Sequence, residues 1–307
     1  MPGTAYVMTR ITRLAVLTFV AIASASLVAQ GDRQTPAEFR RMLDMGVKYR
    51  TGFDLYSALK SAAGGGKQTP PYSQLPDWSG LWTQAGGGNF FDAGPGGVAP
   101  KLKPAAAAIV KQGAEQLAKG IEYDENLSQC GPPGFPRWLV IPFLREFIVR
   151  PEETWLTSET TNNVRRIYTD GRGHPPEEER YPLYYGDSIG FWDGPKLVIH
   201  TNQLMARSMG RNQPTQSEQM ETVEIWQKVD ASTVAADVWI YDPALYVEPW
   251  YMERRYRQVP NADKSLRVRY WNCNENPNND VFKTPDGSTN YKDLTFTDKD
   301  NSKEPGR

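Results

Sequence analysis

The chain has 307 residues, with 35 Lys+Arg against 36 Asp+Glu and a formal net charge of −1. That balance offers no basic excess for nucleic acid or an anionic membrane, and the length suits one large domain or two small ones. There are only two histidines, and neither stands at ligand spacing from Cys, His or Glu, so no zinc site and no cofactor are expected.

At the N-terminus, Arg10 and Arg13 precede an apolar run from Leu14 to Ala23 and small residues up to Ala29. This is the layout of a secretory signal peptide, 1–29, cleaved between Ala25 and Ala29. The run is too short for a bilayer, which needs roughly 20 apolar residues, so no stable membrane span is expected after cleavage. The expected location is therefore periplasmic or extracellular. In an oxidising compartment Cys130 and Cys273 are expected to pair, and closing a loop of that size contributes about 5 kcal/mol at most.

Residues 30–72 read as a helical segment and linker. Thr35-Pro36-Ala37-Glu38 is a helix start with a capping box, and Phe39, Met42, Leu43 and Val47 follow at helical spacing. A second helix is expected over Asp54 to Ala62, then a linker through Gly64-Gly65-Gly66 and Pro70-Pro71. Lys67 after those glycines does not make a phosphate loop, because the first glycine and a preceding strand are missing.

The main domain, 73–275, opens at Asp77-Trp78-Ser79-Gly80-Leu81-Trp82. A Gly-rich loop follows from Ala85 to Pro100, then a helix from Pro104 to Gly120. Beyond Trp138 the pattern turns to β. Strands are expected over Leu139–Val149, Thr154–Glu159, Val164–Thr169, Lys196–Gln203, Met220–Val229, Thr233–Tyr241, Trp250–Gln258 and Ser265–Asn272. Short strands without intervening helices predict an antiparallel β-barrel with the N-terminal helices packed outside. Residues 276–307 read as a loose polar tail.

Gly186-Asp187-Ser188-Ile189-Gly190 has the letters of a nucleophile elbow but not its strand-to-helix setting. It reads instead as a turn in which Asp187 and Ser188 bond backbone amides. His174 lies in a polar loop and is the first choice for proton transfer, since imidazole titrates near neutrality; a loop histidine tied to a carboxylate is the alternative. His200 falls in a strand, on the same face as Val198 and Asn202. The nine Trp and fifteen Tyr are spread over most expected strands, more than a dry core needs. Trp155, Tyr185, Trp192, Trp239, Tyr241 and Trp250 are therefore candidate lining residues of an aromatic cavity.

Gly80-Leu81-Trp82 resembles the Gly-x-Trp signature opening the first strand of lipocalins and other calycins. That resemblance implies a barrel whose Trp82 packs against an arginine from the last strand, Arg267 or Arg269 here. Between Asp77 and Cys273 the chain also resembles a widespread group of uncharacterised exported bacterial proteins. The resemblance lies in Cys130-Gly131-Pro132-Pro133-Gly134-Phe135-Pro136-Arg137, Arg165-Arg166-Ile167-Tyr168-Thr169-Asp170-Gly171-Arg172-Gly173-His174-Pro175, Gly186-Asp187-Ser188-Ile189-Gly190-Phe191-Trp192-Asp193-Gly194, and Asp242-Pro243 before Pro249-Trp250.

Two functions follow as expectations. One is an exported barrel that binds a small apolar or aromatic molecule. The other is a cofactor-independent lyase, isomerase or hydratase in the same cavity, with His174 and Asp187 or Asp193 as acid and base. In it, Arg166 or Arg172 would hold an anionic intermediate and Tyr168 would orient it.

Overall fold

The computed structural model describes residues 35–66, 69–86, 99–120, 130–210, 213–260, 266–271, 281–283 and 289–291. The expected signal segment 1–29 and Cys273 lie outside the described residues. Cys130 carries no free thiol. No helix among the described residues is long and apolar enough to cross a membrane.

The centre of the molecule is a closed barrel of nine strands paired in chain order. They are β1 (Leu81–Ala85), β2 (Arg145–Val149), β3 (Glu153–Ser158), β4 (Asn163–Tyr168), β5 (Asp187–Asp193), β6 (Lys196–Asn202), β7 (Glu221–Asp230), β8 (Thr233–Tyr241) and β9 (Trp250–Gln258). Pairing of β1 with β9, Trp82 opposite Gln258 through Ala85 opposite Arg255, closes the ring. Every neighbouring pair is antiparallel except β4 and β5, which run parallel with Tyr168 beside Ile189. A parallel neighbour cannot be reached by a tight hairpin. The chain between Tyr168 and Asp187 must travel back along the barrel, and this crossover carries His174 over the outer wall.

Three expectations about the strands are corrected. Leu139 to Val149 is strand only from Arg145; Arg137–Val140 forms a 3-10 turn that sends Trp138 against Trp226 and Tyr256, ring centroids 6.4 and 6.2 Å away. The Gly186–Gly190 motif is no turn but the start of β5, with Ser188 bonded to Thr201 and Arg165 side chains inside the barrel. Among residues 266–271 of the expected last strand there is no strand, because β1 already occupies the free edge of β9. Arg267 and Arg269 are accordingly exposed and do not pack on Trp82. The Trp82 ring stacks on Phe147 at 5.8 Å, its Nε1 donates to the Trp78 carbonyl, and the cation nearest its face is Lys228 at 5.9 Å. In the expected loose tail, β10 (Val281–Lys283) pairs with β11 (Thr289–Tyr291).

Strand alternation sorts the side chains into an inner and an outer set. Inside, Trp226 and Tyr256 stack at 5.3 Å, with Phe147 set edge-on to both. The buried Arg165 guanidinium donates to both carboxylate oxygens of Glu224, at 2.9 and 2.6 Å, and to Ser188 and Thr201. Trp226 Nε1 donates to the same carboxylate at 2.8 Å. The barrel thus packs buried aromatic clusters around the Arg165–Glu224 ion pair.

Two helices cover the outer wall. α1 (Pro36–Val47) starts at the Thr35 cap with the expected capping box and buries Phe39, Leu43 and Gly46. Its end is tied to β8: Trp239 Nε1 donates to the Met42 carbonyl at 2.7 Å and the Tyr241 hydroxyl to that of Gly46 at 2.8 Å. A Cβ on Gly46 would stand 2.4 Å from the Trp239 ring, so only glycine allows this approach. α2 (Gly52–Ala62) begins two residues earlier than Asp54, because Thr51 and Asp54 form a second capping box. α3 (Pro104–Ala118) follows the expected boundaries.

Candidate functional site

The two histidines of the chain meet on the outer wall between α2, the β4–β5 crossover and strands β5 to β7. Asp187, first residue of β5, points outward and bonds His174 Nδ1. His174 Nε2 lies 2.7 Å from His200 Nδ1, and His200 Nε2 lies 3.2 Å from Glu221 Oε2. The four side chains therefore form one continuous hydrogen-bonded row, Asp187–His174–His200–Glu221.

Each member owes its place to a different element. His200 lies on the face expected to be shared with Val198 and Asn202, and that face of β6 points outward. Glu221 opens β7 on the same outer face, diagonal to His200, since His200 is opposite Val223. The first turn of α2 then closes over the carboxylate: Phe53 N–H donates to Glu221 Oε2 at 2.9 Å. A Cβ on Gly52 would lie 3.0 Å from Glu221 Cβ, so a side chain there would lift the helix away. Phe53 and Tyr56 rings cover His200 at 5.3 and 5.7 Å.

The middle of the row is dry and its ends are wet. The side chains of His174 and His200 are 5% and 1% exposed, those of Asp187 and Glu221 17% and 27%. Burial pushes the His200 pKa down and outweighs the opposing bond to Glu221. Burial pushes Glu221 up, but bonds from His200 and from the Phe53 and Gly52 amides prevail, holding its carboxyl below the ordinary value.

Proton counting constrains the row further. Three hydrogen bonds need three protons, so with both carboxylates ionised the row is fully bonded only when the two imidazoles share one positive charge. One hop across the 2.7 Å contact moves that charge between the rings. Burial disfavours the charge on the His200 ring.

A cleft of about 700 Å³ opens along the row, walled by Phe53, Tyr56 and Lys60 from α2, by Arg172, His174 and Arg180 from the crossover, and by His200 and Glu221 from the wall. Glu221 also borders two adjoining cavities and is the member of the row most accessible to a bound molecule. Among the described residues no group of three or more His, Cys, Asp or Glu is placed to hold a metal ion; the nitrogens of both rings are engaged within the row.

Of the residues singled out from sequence, His174 and Asp187 are in direct contact and Arg172 lines the same cleft. Tyr168 stands beneath Arg172, whose guanidinium lies 4.1 Å from its ring and is paired with Asp170. Arg166 is not brought in: it pairs with Glu153 at 3.0 Å and lies over Trp155. Asp193 is exposed at the far end of β5, opposite Lys196. The six aromatics divide between the two faces of the wall. Trp192 and Trp250 fill the interior, Trp239 and Tyr241 lie beneath α1, and Trp155 is held outside between Arg150 and Arg166. Tyr185 stands close to Arg145, Arg165 and Arg207, and burial pushes its hydroxyl pKa up against their influence.

His200, Glu221, Phe53, Tyr56, Lys60 and Arg180 were not singled out. The outward placement of His200 was readable from alternation, whereas the Glu221 contact depends on strand register. No protein-family model matches the chain, and no curated protein matches it.

Proposed function

We propose that the protein is a cofactor-independent acid–base catalyst, a lyase, isomerase or hydratase, acting on a small molecule bound in the outer cleft. The observation that carries this reading is the row Asp187–His174–His200–Glu221, with its buried imidazoles and a carboxylate facing a cavity. Glu221 takes a proton from the substrate and returns one to the product after exchange with solvent at its exposed edge, while the buried rings hold the carboxylate in place and in its ionised form. Phe53 and Tyr56 supply a wall for an apolar or aromatic body, which moves the expected small-molecule site from the barrel interior to its outside. Positioned acid–base groups of this kind contribute about 10²–10⁴ in rate.

Export and the Cys130–Cys273 bridge belong to the same proposal, as does membership of the exported group that the motifs resemble. Cleavage between Ala25 and Ala29 would deliver the mature chain to the periplasm or the exterior, where the bridge forms.

Deuterium incorporation tests the chemistry without a known substrate. The purified protein and its Glu221→Gln variant are incubated in heavy water with a small-molecule extract, and mass spectrometry reads which compounds gain deuterium. The wild type should label at least one compound about 100-fold faster than the variant, the loss expected of a missing general base. Equal labelling by both proteins, or none by either, overturns the proposal.

A further inference from the structure

The charges around the cleft point to the class of molecule it takes. Lys60 reaches the cleft from α2, its ammonium 5.9 Å from the Tyr56 ring, and makes no ion pair among the described residues. Arg180, on the crossover, donates Nε to the Pro175 carbonyl at 2.9 Å and likewise has no carboxylate partner among them. Arg172, by contrast, is neutralised by Asp170. Lys60 and Arg180 are thus two cationic donors without a carboxylate partner among the described residues, and both border the aromatic wall of the cleft.

We infer that the substrate is a monoanion, a flat apolar or aromatic body bearing a carboxylate, with the carboxylate held by Lys60 and Arg180 and the body against Phe53 and Tyr56. The inference rests on the proposed function and names the substrate class of that same cleft. A carboxylate there also suits the chemistry. Removing a proton from a carbon adjoining it raises the negative charge on its oxygens, and the fixed cations meet that charge. Guanidinium and ammonium donors to a carboxylate form charge-assisted hydrogen bonds, roughly twice as strong as neutral ones, so an uncharged analogue of the same shape should bind more weakly.

Benzoate and benzamide, equal in shape and different in charge, are suitable probes. Each is titrated into the purified protein while the ring resonances of His174 and His200 are followed by nuclear magnetic resonance. Benzoate should shift both rings and bind at least about tenfold more tightly than benzamide, one charge-assisted hydrogen bond's worth of discrimination. Lys60→Met and Arg180→Gln, both on the rim and outside any packed core, should each weaken benzoate by about tenfold and leave benzamide unchanged. Equal binding of the two probes overturns the inference, as does a failure of benzoate to move either ring. The two readings fail separately. Benzoate selectivity with no deuteration in the extract removes the catalyst and leaves the anion site; deuteration without selectivity does the reverse.

Discussion

The barrel interior and the outer cleft each contain a buried charge network, and they differ in what can reach it. Inside, Arg165 and Glu224 are 1% and 0% exposed, and the carboxylate also accepts from Trp226. Nothing in that arrangement faces solvent, so its contribution is to hold five strands in register: β4 through Arg165, β5 through Ser188, β6 through Thr201, and β7 through Glu224 and Trp226, with Tyr256 of β9 stacked on the last. Outside, the histidines are almost as dry, but both ends of their row are partly exposed and the Glu221 end opens on a cavity. Similar side chains serve architecture where the network is closed and can serve chemistry where it is open.

Breaking the interior pair is the strongest way to test that contrast. Glu224→Leu leaves the Arg165 guanidinium buried without its counter-charge, which should cost about 3–5 kcal/mol in urea unfolding. Replacing both partners, Arg165→Met with Glu224→Leu, removes the desolvated charge along with the attraction and should restore most of the loss. The double variant should still label the compounds that the wild type labels. A double variant as unstable as the single one would show that the pair's value lies in its side contacts to Ser188, Thr201 and Trp226.

The same contrast explains what the sequence disclosed. The first helix was legible because Thr35, Pro36 and Glu38 act locally, and strands such as β8 and β9 because their apolar and β-branched runs are bounded by turn residues. β5 was hidden because it is covered on both sides: Ser188, Gly190 and Trp192 face the core, while Ile189 and Phe191 lie under the α2 side of the wall, so alternation is lost. Gly186 just before it and Gly190 within it then imitated a turn. Leu266 to Trp271 has the composition of a strand but pairs with no strand among the described residues, a fact of ring closure that no local pattern carries. In the site, His174 and Asp187 were named from residue type alone. Their link to Glu221 needed the crossover path and the β6–β7 register, both long-range properties.

Asp237 offers a milder perturbation on the outer wall near α1. It accepts a hydrogen bond from Tyr251, whose ring packs on Phe39 of the helix. Burial, reinforced by nearby Glu253, pushes its pKa up to about 6 against the pull of the Tyr251 bond, Arg255 and Lys196. A folded pKa above the unfolded one means that the neutral form is favoured in the native state. Its contribution is complete below the unfolded value and is lost as pH rises through about 6. Asp237→Asn should therefore match the wild type near pH 4 and exceed it by about 1–2 kcal/mol near pH 8, read by urea unfolding at both values. A variant equally stabilised at both would locate the effect in packing.

The smallest effect is expected from titration of the cleft itself, because in His200 and Glu221 burial and hydrogen bonding oppose each other. Both groups have folded pKa values below their ordinary ones. For each, stability is present above the unfolded pKa and is lost as pH falls through the folded pKa, the histidine first and the carboxylate at lower pH. Acidification would force a second proton onto the imidazole pair, which has hydrogen-bond acceptors for only one extra charge. His200→Gln removes the upper of these two losses and, by taking away the contact that most lowers Glu221, reduces the lower one as well. Unfolding curves measured from pH 7 downward should thus be flatter for His200→Gln than for the wild type over the histidine range and, to a smaller degree, over the carboxylate range. Parallel curves throughout would mean that the second proton is accommodated without breaking the row, and the outer network would then be as insulated as the inner one.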